Sequence, residues 1–288
     1  MQRKLHPLEG IVAAFALVFV LALTIGFAQA AEPQPLKPAK LRSASVMVLD
    51  ADTGEVVIDK NADAVVPIAS ITKLMTAMVV LDRGLALDER VVLSRDDVDA
   101  RKGTRSRLRN GAVLTRDELL LLALMSSENK AAAALARTFP GGLPAFVEAM
   151  NAKAQVLGMT DSHFVDSTGL SPNNVSSARD LVKLVNAAHD YPLIREYSTR
   201  SRATVKVYGR PMAYGNTNGL VRNSRWNIGL SKTGYISEAG RCLVMRVQMA
   251  SKDLVVVLLD SWGKNSRVGD AQRIRHWVET AAARGPRI

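Results

Sequence analysis

The sequence predicts a mixed α+β fold in which one sheet is built from both ends of the chain and a block of helices lies between them. Short runs rich in Val and Ile occur at residues 45–59 and again within residues 204–259. Helical patterns dominate residues 94–193, and an amphipathic segment follows the last strands at residues 269–283. Strands from both ends can share one sheet, with the middle block packed beside it as a subdomain.

The first thirty residues differ from the rest of the chain. A basic N-terminus precedes an uncharged apolar run from Ile11 to Phe27, and Ala28-Gln29-Ala30 follows it. This order is typical of a secretory signal peptide cleaved after Ala30, which predicts a periplasmic protein. An uncleaved anchor is the alternative, because 17 apolar residues approach the length of a membrane span. Residues 31–44 are rich in proline and predict an extended linker before a globular domain at residues 45–288.

Composition narrows the possible partners and cofactors. Removal of residues 1–30 takes away two cations and one anion, which changes the formal net charge from +11 to +10. This charge favours anionic partners such as acidic wall polymers, and export makes nucleic acid the least expected of them. Cys242 is the only cysteine, so an intramolecular disulfide cannot form. His163, His189 and His276 show no metal-ligand spacing, so neither a metal nor another cofactor is expected.

The first predicted elements are a β-hairpin and a helix. Ser45–Leu49 and Glu55–Asp59 are β-rich, and the turn residues between them suit a hairpin connection. Apolar residues from Ser70 to Arg83 largely follow helical spacing, and Gly84 ends the run. A helix is therefore predicted here, with Ser70 at its start.

The helical block and the C-terminal elements follow. Thr115 and Glu118 have the spacing of a capping box, which predicts a helix start just before the leucines at positions 119–122. A final helix is predicted from about Gly269 to Ala283. The β-rich runs between these helices are Thr204–Val207, Asn227–Leu230, Cys242–Met249 and Leu254–Leu259.

The first chemical motif is Ser70-Ile71-Thr72-Lys73. Three residues along a helix rotate by about 300°, so Lys73 returns to the face of Ser70. The same Ser-x-x-Lys spacing occurs at Ser127–Lys130 and Ser261–Lys264, so the spacing alone is weak. Ser70 alone stands at a predicted helix start, where backbone N–H groups favour negative charge on an attacking oxygen. Without further motifs, a serine at this position would be interpreted as an ordinary N-cap.

Two further motifs follow in the chain. Ser127-Glu128-Asn129 lies 57 residues after Ser70, although a turn or cap role is the simpler interpretation of such a string. Lys232-Thr233-Gly234 lies 105 residues further on and occurs nowhere else in the chain. Glycine permits close approach of a ligand to a strand, and lysine with threonine can bind a carboxylate.

The three motifs together carry a family resemblance. The chain is similar to D-alanyl-D-alanine peptidases of the low-molecular-mass penicillin-binding type, and within them to the endopeptidase branch. This resemblance implies a β-lactamase/transpeptidase-like fold, with an antiparallel five-stranded sheet flanked by helices and an all-helical subdomain at about residues 90–195. The likeness extends from about Ser45 to the C-terminus and includes Gly103–Leu108, Leu124–Asn129, His163-Phe164 and Gly169-Leu170.

The resemblance implies an acyl-enzyme mechanism on Ser70. Ser70 would attack the carbonyl of the penultimate D-alanine, with Lys73 as its base. Ser127 would relay a proton to the leaving amine, and Asn129 would orient Lys73 and the substrate amide.

Substrate binding falls on the third motif and the residue after it. Lys232, Thr233, Gly234 and Tyr235 are expected to bind the peptide, and the backbone N–H groups of Ser70 and Tyr235 are expected to hold the oxyanion. A free lysine has a pKa of about 10.4 and is a poor base at neutral pH. The base would therefore need burial and a neighbouring cation, for which Lys232 is the candidate.

Several alternatives remain at this point. A β-lactamase would resemble this chain, but the Glu-x-x-Leu-Asn string of class A members is missing where residues 161–166 stand. A catalytically silent wall-binding protein would be expected to lack part of one motif. A Ser-His-Asp hydrolase has no support, because the chain contains no Gly-x-Ser-x-Gly string. His163 is interpreted as structural and Cys242 as a small buried hydrophobe.

The substrate preference is predicted from features outside the three motifs. The expected partners are peptidoglycan muropeptides, with β-lactams as covalent inhibitors. Typical tethered carboxypeptidases of this group continue into a β-rich domain and an amphipathic anchor, whereas this sequence stops at Ile288. The expectation is therefore a periplasmic endopeptidase without a stable membrane anchor, and a carboxypeptidase that trims terminal D-alanine is the alternative. A basic stretch at residues 101–109 is interpreted as a solvated loop, with contact to wall polymer as the second possibility.

Overall fold

The structure, a computed structural model, describes residues 40–98, 103–104 and 106–284. The predicted signal peptide at residues 1–30 and most of the predicted linker lie outside these ranges. Every element described below belongs to one unit, Leu36–Ile288. Within the described residues, no helix combines the length and the apolar character needed to cross a membrane.

Eleven strands and seven helices lie within the described residues. The strands are β1 Ser43–Asp50, β2 Val56–Lys60, β3 Val66–Pro67, β4 Arg90–Val92, β5 Val113–Thr115, β6 Val175–Ser176, β7 Arg202–Val207, β8 Arg210–Gly215, β9 Asn227–Ile236, β10 Gly240–Met249 and β11 Lys252–Ser261. The helices are α1 Thr72–Asp82, α2 Arg116–Met125, α3 Asn129–Arg137, α4 Gly142–Val156, α5 Ala178–His189, α6 Pro192–Thr199 and α7 Ser266–Ala283.

Five strands form one antiparallel sheet with the order β2-β1-β11-β10-β9. The N-terminal hairpin therefore pairs directly with strands from the end of the chain, which confirms the prediction of one sheet built from both ends. The sequence placed the start of the domain at Ser45, but β1 already begins at Ser43. β9 lies at one edge of the sheet, so part of its backbone faces the helical subdomain and not another strand.

The sheet separates two apolar cores. Successive side chains of a strand point to opposite faces, and β11 follows this rule closely. Val255, Val257 and Leu259 face the core shared with the helical subdomain, whereas Leu254, Val256 and Leu258 face α7. Both faces are covered, which explains why this strand is a continuous apolar run in the sequence.

Two details of the predicted organisation need correction. Thr204–Val207 lies in β7, but β7 pairs only with β8 in a separate two-stranded hairpin and does not join the central sheet. The subdomain predicted as all-helical also contains short strand pairs, since β4 pairs with β5, and β6 pairs with β3. These strands have two or three residues, which is too short for a period-two pattern to be recognised in the sequence.

The helix starts agree well with the predicted signals. Thr115 Oγ1 accepts the Glu118 N–H at 3.1 Å, and Glu118 Oε2 accepts the Thr115 N–H at 2.9 Å, so the capping box at the start of α2 is confirmed. The helix predicted from Ser70 begins as a 3₁₀ turn at Ala69–Ile71 and continues as α1. Ser70 therefore lies one turn before the regular helix.

Asp270 ties the terminal helix to the first strand. Its carboxylate is buried and accepts hydrogen bonds from the Ser43 N–H at 2.7 Å and from Ser43 Oγ at 2.5 Å. It also accepts the Arg42 N–H at 2.9 Å and pairs with Arg273 at 2.5 Å. Burial alone would favour the neutral acid, but these donors outweigh burial and hold the pKa of Asp270 below its usual value.

We expect Asp270→Asn to lower the free energy of unfolding by about 2–4 kcal/mol at pH 7, because the amide places N–H groups against the donors of Ser43. A carboxyl whose pKa is lowered by folding stabilises the protein at pH values above its pKa in the unfolded chain, which is about 3.9. This stabilisation is lost as the pH falls through the pKa of the folded state. The difference in free energy of unfolding between wild type and variant should therefore become smaller below about pH 4. Urea unfolding measures this difference. Glu279→Gln is the control, since Glu279 pairs with Arg275 at the surface of the same helix. Equal loss in both variants would contradict the prediction.

Candidate active site

Ser70 and Lys73 are held at the junction of the 3₁₀ turn and α1. Ser70 is 9% exposed and Lys73 is fully buried. The residue before the serine, Ala69, has φ of +47°. A non-glycine residue rarely adopts this conformation, which costs roughly 1–2 kcal/mol. The strained backbone directs the serine side chain to the cleft side of the turn, beside the lysine.

The Lys73 amine is surrounded by three oxygen atoms. Its Nζ lies 2.9 Å from Ser70 Oγ, 2.7 Å from Asn129 Oδ1 and 2.6 Å from the Thr168 carbonyl. A neutral amine has two N–H groups and one lone pair. The two carbonyl oxygens can only accept, so they take the two N–H groups. The remaining lone pair then points at the Ser70 hydroxyl, which is the geometry that a base requires.

Burial makes this neutral form available near pH 7. Desolvation lowers the pKa of Lys73 to about 7, although the charges of Asp166 and Glu128 act in the opposite direction. The sequence had predicted that burial and a cation at Lys232 would act together on Lys73. Burial is the cause observed at Lys73, and the repulsion between the two lysines contributes to the lowered pKa of Lys232.

A tight turn at residues 166–171 brings the Thr168 carbonyl to the lysine. Asp166 organises the turn, because its carboxylate accepts the Thr168 N–H at 2.6 Å, the Gly169 N–H at 2.7 Å and the Ser171 N–H at 2.9 Å. Gly169 has φ of +79°, and a Cβ there would lie 1.9 Å from the Ala69 carbonyl oxygen. Only glycine permits this contact between the turn and the nucleophile segment.

The second motif lies in the connection between α2 and α3. Ser127 has φ of +59°, and its hydroxyl accepts a hydrogen bond from Lys232 Nζ at 2.7 Å. Asn129 is the first residue of α3, and its Oδ1 faces Lys73 while its Nδ2 donates to Thr104 Oγ1 at 3.1 Å. Ser127 therefore contacts Lys232, and Asn129 contacts Lys73. A motif that formed only a turn would not need these two contacts.

The third motif lies on β9, the edge strand of the sheet. Lys232 is buried, and its pKa is lowered well below the usual value by burial, with repulsion from Lys73 and Arg267 adding to it. Thr233 Oγ1 donates to or accepts from Thr217 Oγ1 at 2.7 Å. A Cβ at Gly234 would lie 2.9 Å from the Ile68 carbonyl and 3.1 Å from the Ser70 nitrogen, so this strand passes directly beside the nucleophile turn.

These segments enclose a cleft of about 460 Å³. Arg267 from α7 lies at the cleft, where its Nη1 donates to the Gly234 carbonyl at 2.9 Å and the Cys242 carbonyl at 3.2 Å. Tyr235 is 57% exposed beside it, with the Arg241 guanidinium 4.6 Å from its ring centre. The residues lining the cleft are Ser70, Thr104, Ser127, Asn129, Leu170, Thr217, Thr233, Gly234, Tyr235, Ile236, Ser237 and Arg267.

Sequence reasoning found both lysine-bearing motifs and missed several of their neighbours. Arg267, Thr217 and the Asp166 carboxylate carry no motif of their own, and a single charged residue in a helix gives no signal of its role. Gly169-Leu170 was part of the family resemblance, and this pair could have drawn attention to the turn.

Other predicted candidates lie outside the cleft. Ser261 is buried against Ser43 Oγ at 2.5 Å, so the third Ser-x-x-Lys string is structural. Lys130 donates to Asn110 Oδ1 at 2.5 Å and does not reach a serine. Cys242 is buried as predicted, and burial raises the pKa of its thiol to about 11. Within the described ranges, no group of three or more His, Cys, Asp or Glu residues is placed to hold a metal ion.

Comparison with known proteins points to one family. The family model described as D-alanyl-D-alanine carboxypeptidase matches residues 29–263. A D-alanyl-D-alanine endopeptidase of Pseudomonas aeruginosa is 48% identical over 267 residues, covering 90% of this chain and 86% of the relative. A D-alanyl-D-alanine endopeptidase of Escherichia coli K12 is 45% identical over 275 residues, covering 93% and 88%. The crystal structure of the Streptomyces K15 DD-transpeptidase superposes with a TM-score of 0.78 at 28% identity, covering 85% of this chain and all of that one.

The environment of Lys73 predicts a pH profile for acylation of Ser70. Only the neutral amine can accept the serine proton, so the second-order rate of acylation by a penicillin should rise with pH and level off above about pH 7. Asp166→Asn removes a charge that raises the pKa of Lys73, so the midpoint should move to lower pH. Glu128→Gln should move it in the same direction without disturbing the turn at residues 166–171. Stopped-flow acylation across pH 5–9 measures the profile, and an unchanged midpoint in both variants would mean that Lys73 is not the base.

Proposed function

Because the chain belongs to the D-alanyl-D-alanine carboxypeptidase family and is a serine D-alanyl-D-alanine peptidase, we propose that it hydrolyses peptidoglycan cross-links as an exported endopeptidase. The reaction proceeds through an acyl-enzyme on Ser70. The observation that carries the acyl-enzyme mechanism is the contact of Lys73 Nζ with Ser70 Oγ, Asn129 Oδ1 and the Thr168 carbonyl. This contact supplies a nucleophile and a neutral base within one enclosed cleft.

The acylation step uses both lysines. Ser70 Oγ attacks the carbonyl carbon of the D-alanyl bond while its proton passes to Lys73 Nζ. The N–H groups of Ser70 and Tyr235 hold the negative charge that develops on the carbonyl oxygen. When the C–N bond breaks, Ser127 Oγ gives its proton to the leaving amine and takes the proton held by Lys73, so that Lys73 becomes neutral again. Lys232 Nζ lies 2.7 Å from Ser127 Oγ and stabilises this relay. The products are a free amine and an ester on Ser70.

Deacylation repeats this chemistry with water. A water molecule attacks the ester carbonyl and gives its proton to the neutral Lys73 amine, and Lys73 passes this proton to Ser70 Oγ as the ester C–O bond breaks. The acid product then departs from the cleft. Lys73 and Ser70 are thereby restored to their starting forms, and each turnover consumes one water molecule.

The carboxylate of the leaving D-residue meets a basic wall of the cleft. Thr233 from β9 and Arg267 from α7 line the cleft there, and no carboxylate of the described residues lines it. Lys232 is buried beside Thr233, with its Nζ on the cleft residue Ser127. An incoming carboxylate would take charge-assisted hydrogen bonds from these groups. Arg267 extends the predicted set of binding residues.

Endopeptidase and carboxypeptidase substrates share this carboxylate, so the catalytic groups do not separate the two reactions. The relatives of 45–48% identity carry the endopeptidase name, and this supports cross-links as the substrate. The alternative is carboxypeptidase activity, which the description of the family model names.

Ser70 should carry the covalent label after incubation with a fluorescent penicillin, because the lactam presents an acylating carbonyl and a carboxylate in the arrangement of a D-alanyl peptide. Peptide mass spectrometry identifies the labelled residue. Lys73→Met and Lys232→Met should each slow labelling by at least about a hundredfold, the range of general acid–base contributions. Lys264→Met is the matched control, since Lys264 has the same spacing from Ser261 but is exposed to solvent. Label on another residue, or wild-type rates in Lys73→Met, would reject the mechanism.

The choice between the two peptidase activities can be measured directly. Purified protein should convert cross-linked muropeptide dimers to monomers faster than it removes terminal D-alanine from pentapeptide monomers. Liquid chromatography of both digests, at equal substrate concentration, gives the two rates. Rapid loss of terminal D-alanine with intact dimers would leave the carboxypeptidase alternative standing.

Export follows from the N-terminal pattern and from the wall location of the substrate. When the chain is produced in a Gram-negative host, the mature protein should be recovered from the periplasmic fraction with Ala31 as its first residue. N-terminal mass spectrometry of the periplasmic and membrane fractions measures this. An intact Met1 in the membrane fraction would show that the segment is kept as an anchor.

A further inference from the structure

Two long segments of the sequence are free of acidic residues. Residues 100–116 and 197–237 contain no Asp or Glu, although both segments carry several lysines and arginines. Each segment has a described part that lies next to the other in the fold. The loop at residues 106–111 packs against the β7–β8 hairpin.

Three contacts join the loop to the hairpin. Arg107 Nη2 donates to the Ala213 carbonyl at 2.7 Å, and its guanidinium lies 3.9 Å from the centre of the Tyr214 ring. Tyr208, at the tip of the hairpin, donates its hydroxyl proton to the Asn110 carbonyl. The loop and the hairpin therefore form one continuous surface.

The outer face of the hairpin is exposed and basic. Arg202 and Lys206 are exposed on β7, whereas Val205 and Val207 between and after them are buried. The residues opposite Arg202 and Lys206 are Gly215 and Pro211, so no bulky side chain covers the two cations. We name this outer face, together with the adjoining loop and the tip of the hairpin, the basic ledge, and define it by its exposed cations Arg107, Arg109, Arg202, Lys206 and Arg210. Arg210 pairs with Val207, so its side chain leaves the hairpin on the side opposite to Arg202 and Lys206.

Among the described residues, no carboxylate pairs with a cation of the basic ledge. Many other arginines of these residues do pair with carboxylates, for example Arg137 with Asp97 and Arg246 with Asp253. Five cations without such a partner, grouped around one hairpin, produce a positive field that attracts a polyanion.

The basic ledge begins at the rim of the catalytic cleft. Thr104, three residues before Arg107, lines the cleft. On the other side Thr217, two residues after the end of β8, also lines it and contacts Thr233. A span of two or three residues covers at most about 11 Å. A polymer bound in the cleft can therefore reach the ledge with its neighbouring parts.

We propose that the basic ledge binds carboxylate-bearing stem peptides of the wall polymer adjacent to the stem whose bond is cut. This proposal rests on the assignment of the chain as a wall peptidase. Arg202 and Lys206 are separated by roughly 14 Å along β7 at 3.4 Å per residue. The ledge therefore presents a line of charge and not one pocket, which suits a repeating anionic polymer better than a single small ligand.

The test measures binding of intact protein to purified insoluble sacculi in a pelleting assay. All proteins carry Ser70→Ala so that the polymer is not consumed. Arg202→Glu together with Lys206→Glu should weaken binding about tenfold at low salt, and the difference should shrink at high salt. Arg202→Gln with Lys206→Gln should give an intermediate loss, because it removes charge without reversing it.

The control keeps the same change of net charge at another surface. Arg83→Glu with Arg284→Glu alters two exposed cations that lie outside the ledge and should bind sacculi as the Ser70→Ala parent does. Equal loss in this control would overturn the proposal, because it would show an effect of total charge. Unchanged binding of the ledge variant would also overturn it.

Two further measurements distinguish wall binding by the ledge from damage to the cleft and from membrane binding. In proteins that retain Ser70, labelling by fluorescent penicillin and cleavage of soluble muropeptide dimers should stay within about twofold of wild type, since Arg202 and Lys206 do not line the cleft. Loss of labelling in the ledge variant would overturn the proposal, because the substitutions would then have damaged the cleft. The Ser70→Ala parent could instead bind phosphatidylglycerol vesicles more strongly than sacculi, and the ledge variant could lose this vesicle binding. That result would overturn the proposal and assign the ledge to membrane binding. Absence of penicillin label in the wild-type protein would reject the peptidase mechanism. The pelleting assay would still show whether the basic ledge binds the wall polymer.

Discussion

The arrangement of the cleft depends on the buried amine of Lys73. None of the described residues places a carboxylate within hydrogen-bonding distance of this amine. Lys73 Nζ contacts Ser70 Oγ, Asn129 Oδ1 and the Thr168 carbonyl, which come from three separate segments. Burial of an ammonium costs roughly several kcal/mol, so the neutral amine is favoured and its two N–H groups need two acceptors. α3 and the turn at residues 166–171 must therefore stay in place for the lone pair to face the serine. The base is a property of the packed subdomain and not of the Ser-x-x-Lys string alone.

Two glycines make this packing possible from opposite sides. A Cβ at Gly169 would lie 1.9 Å from the Ala69 carbonyl, and a Cβ at Gly234 would lie 3.1 Å from the Ser70 nitrogen. The first glycine belongs to the helical subdomain and the second to the edge strand of the sheet. The nucleophile turn is thus held between both parts of the fold, which accounts for the strained φ of Ala69 persisting there. A cleft at this position requires the sheet to be completed by the last strands of the chain.

Much of this could be predicted from the sequence, and the limits have physical causes. Runs rich in β-branched residues located the main strands, the capping box at Thr115 located α2, and the three motifs located both lysines. β8 was missed because Pro211 and Gly215 interrupt its β pattern. Arg267 was missed because its role comes from where α7 packs, which no local pattern encodes. Asp166 entered the sequence analysis only as part of residues 161–166, where the β-lactamase string is missing. Its carboxylate in fact holds the turn beside Lys73.

The two buried lysines connect recognition with base strength. Burial lowers the pKa of Lys232 well below its usual value, and repulsion from Lys73 and Arg267 lowers it further. On the proposed function, a substrate carboxylate beside Lys232 reverses this, because an opposite charge favours the ammonium form. The new ammonium then repels a proton on Lys73 and keeps that amine neutral toward Ser70. A ligand with a carboxylate at the correct distance thus prepares its own base, and a neutral amide does not. This coupling explains why D-alanyl peptides and penicillins, which share the carboxylate, are expected to share the mechanism.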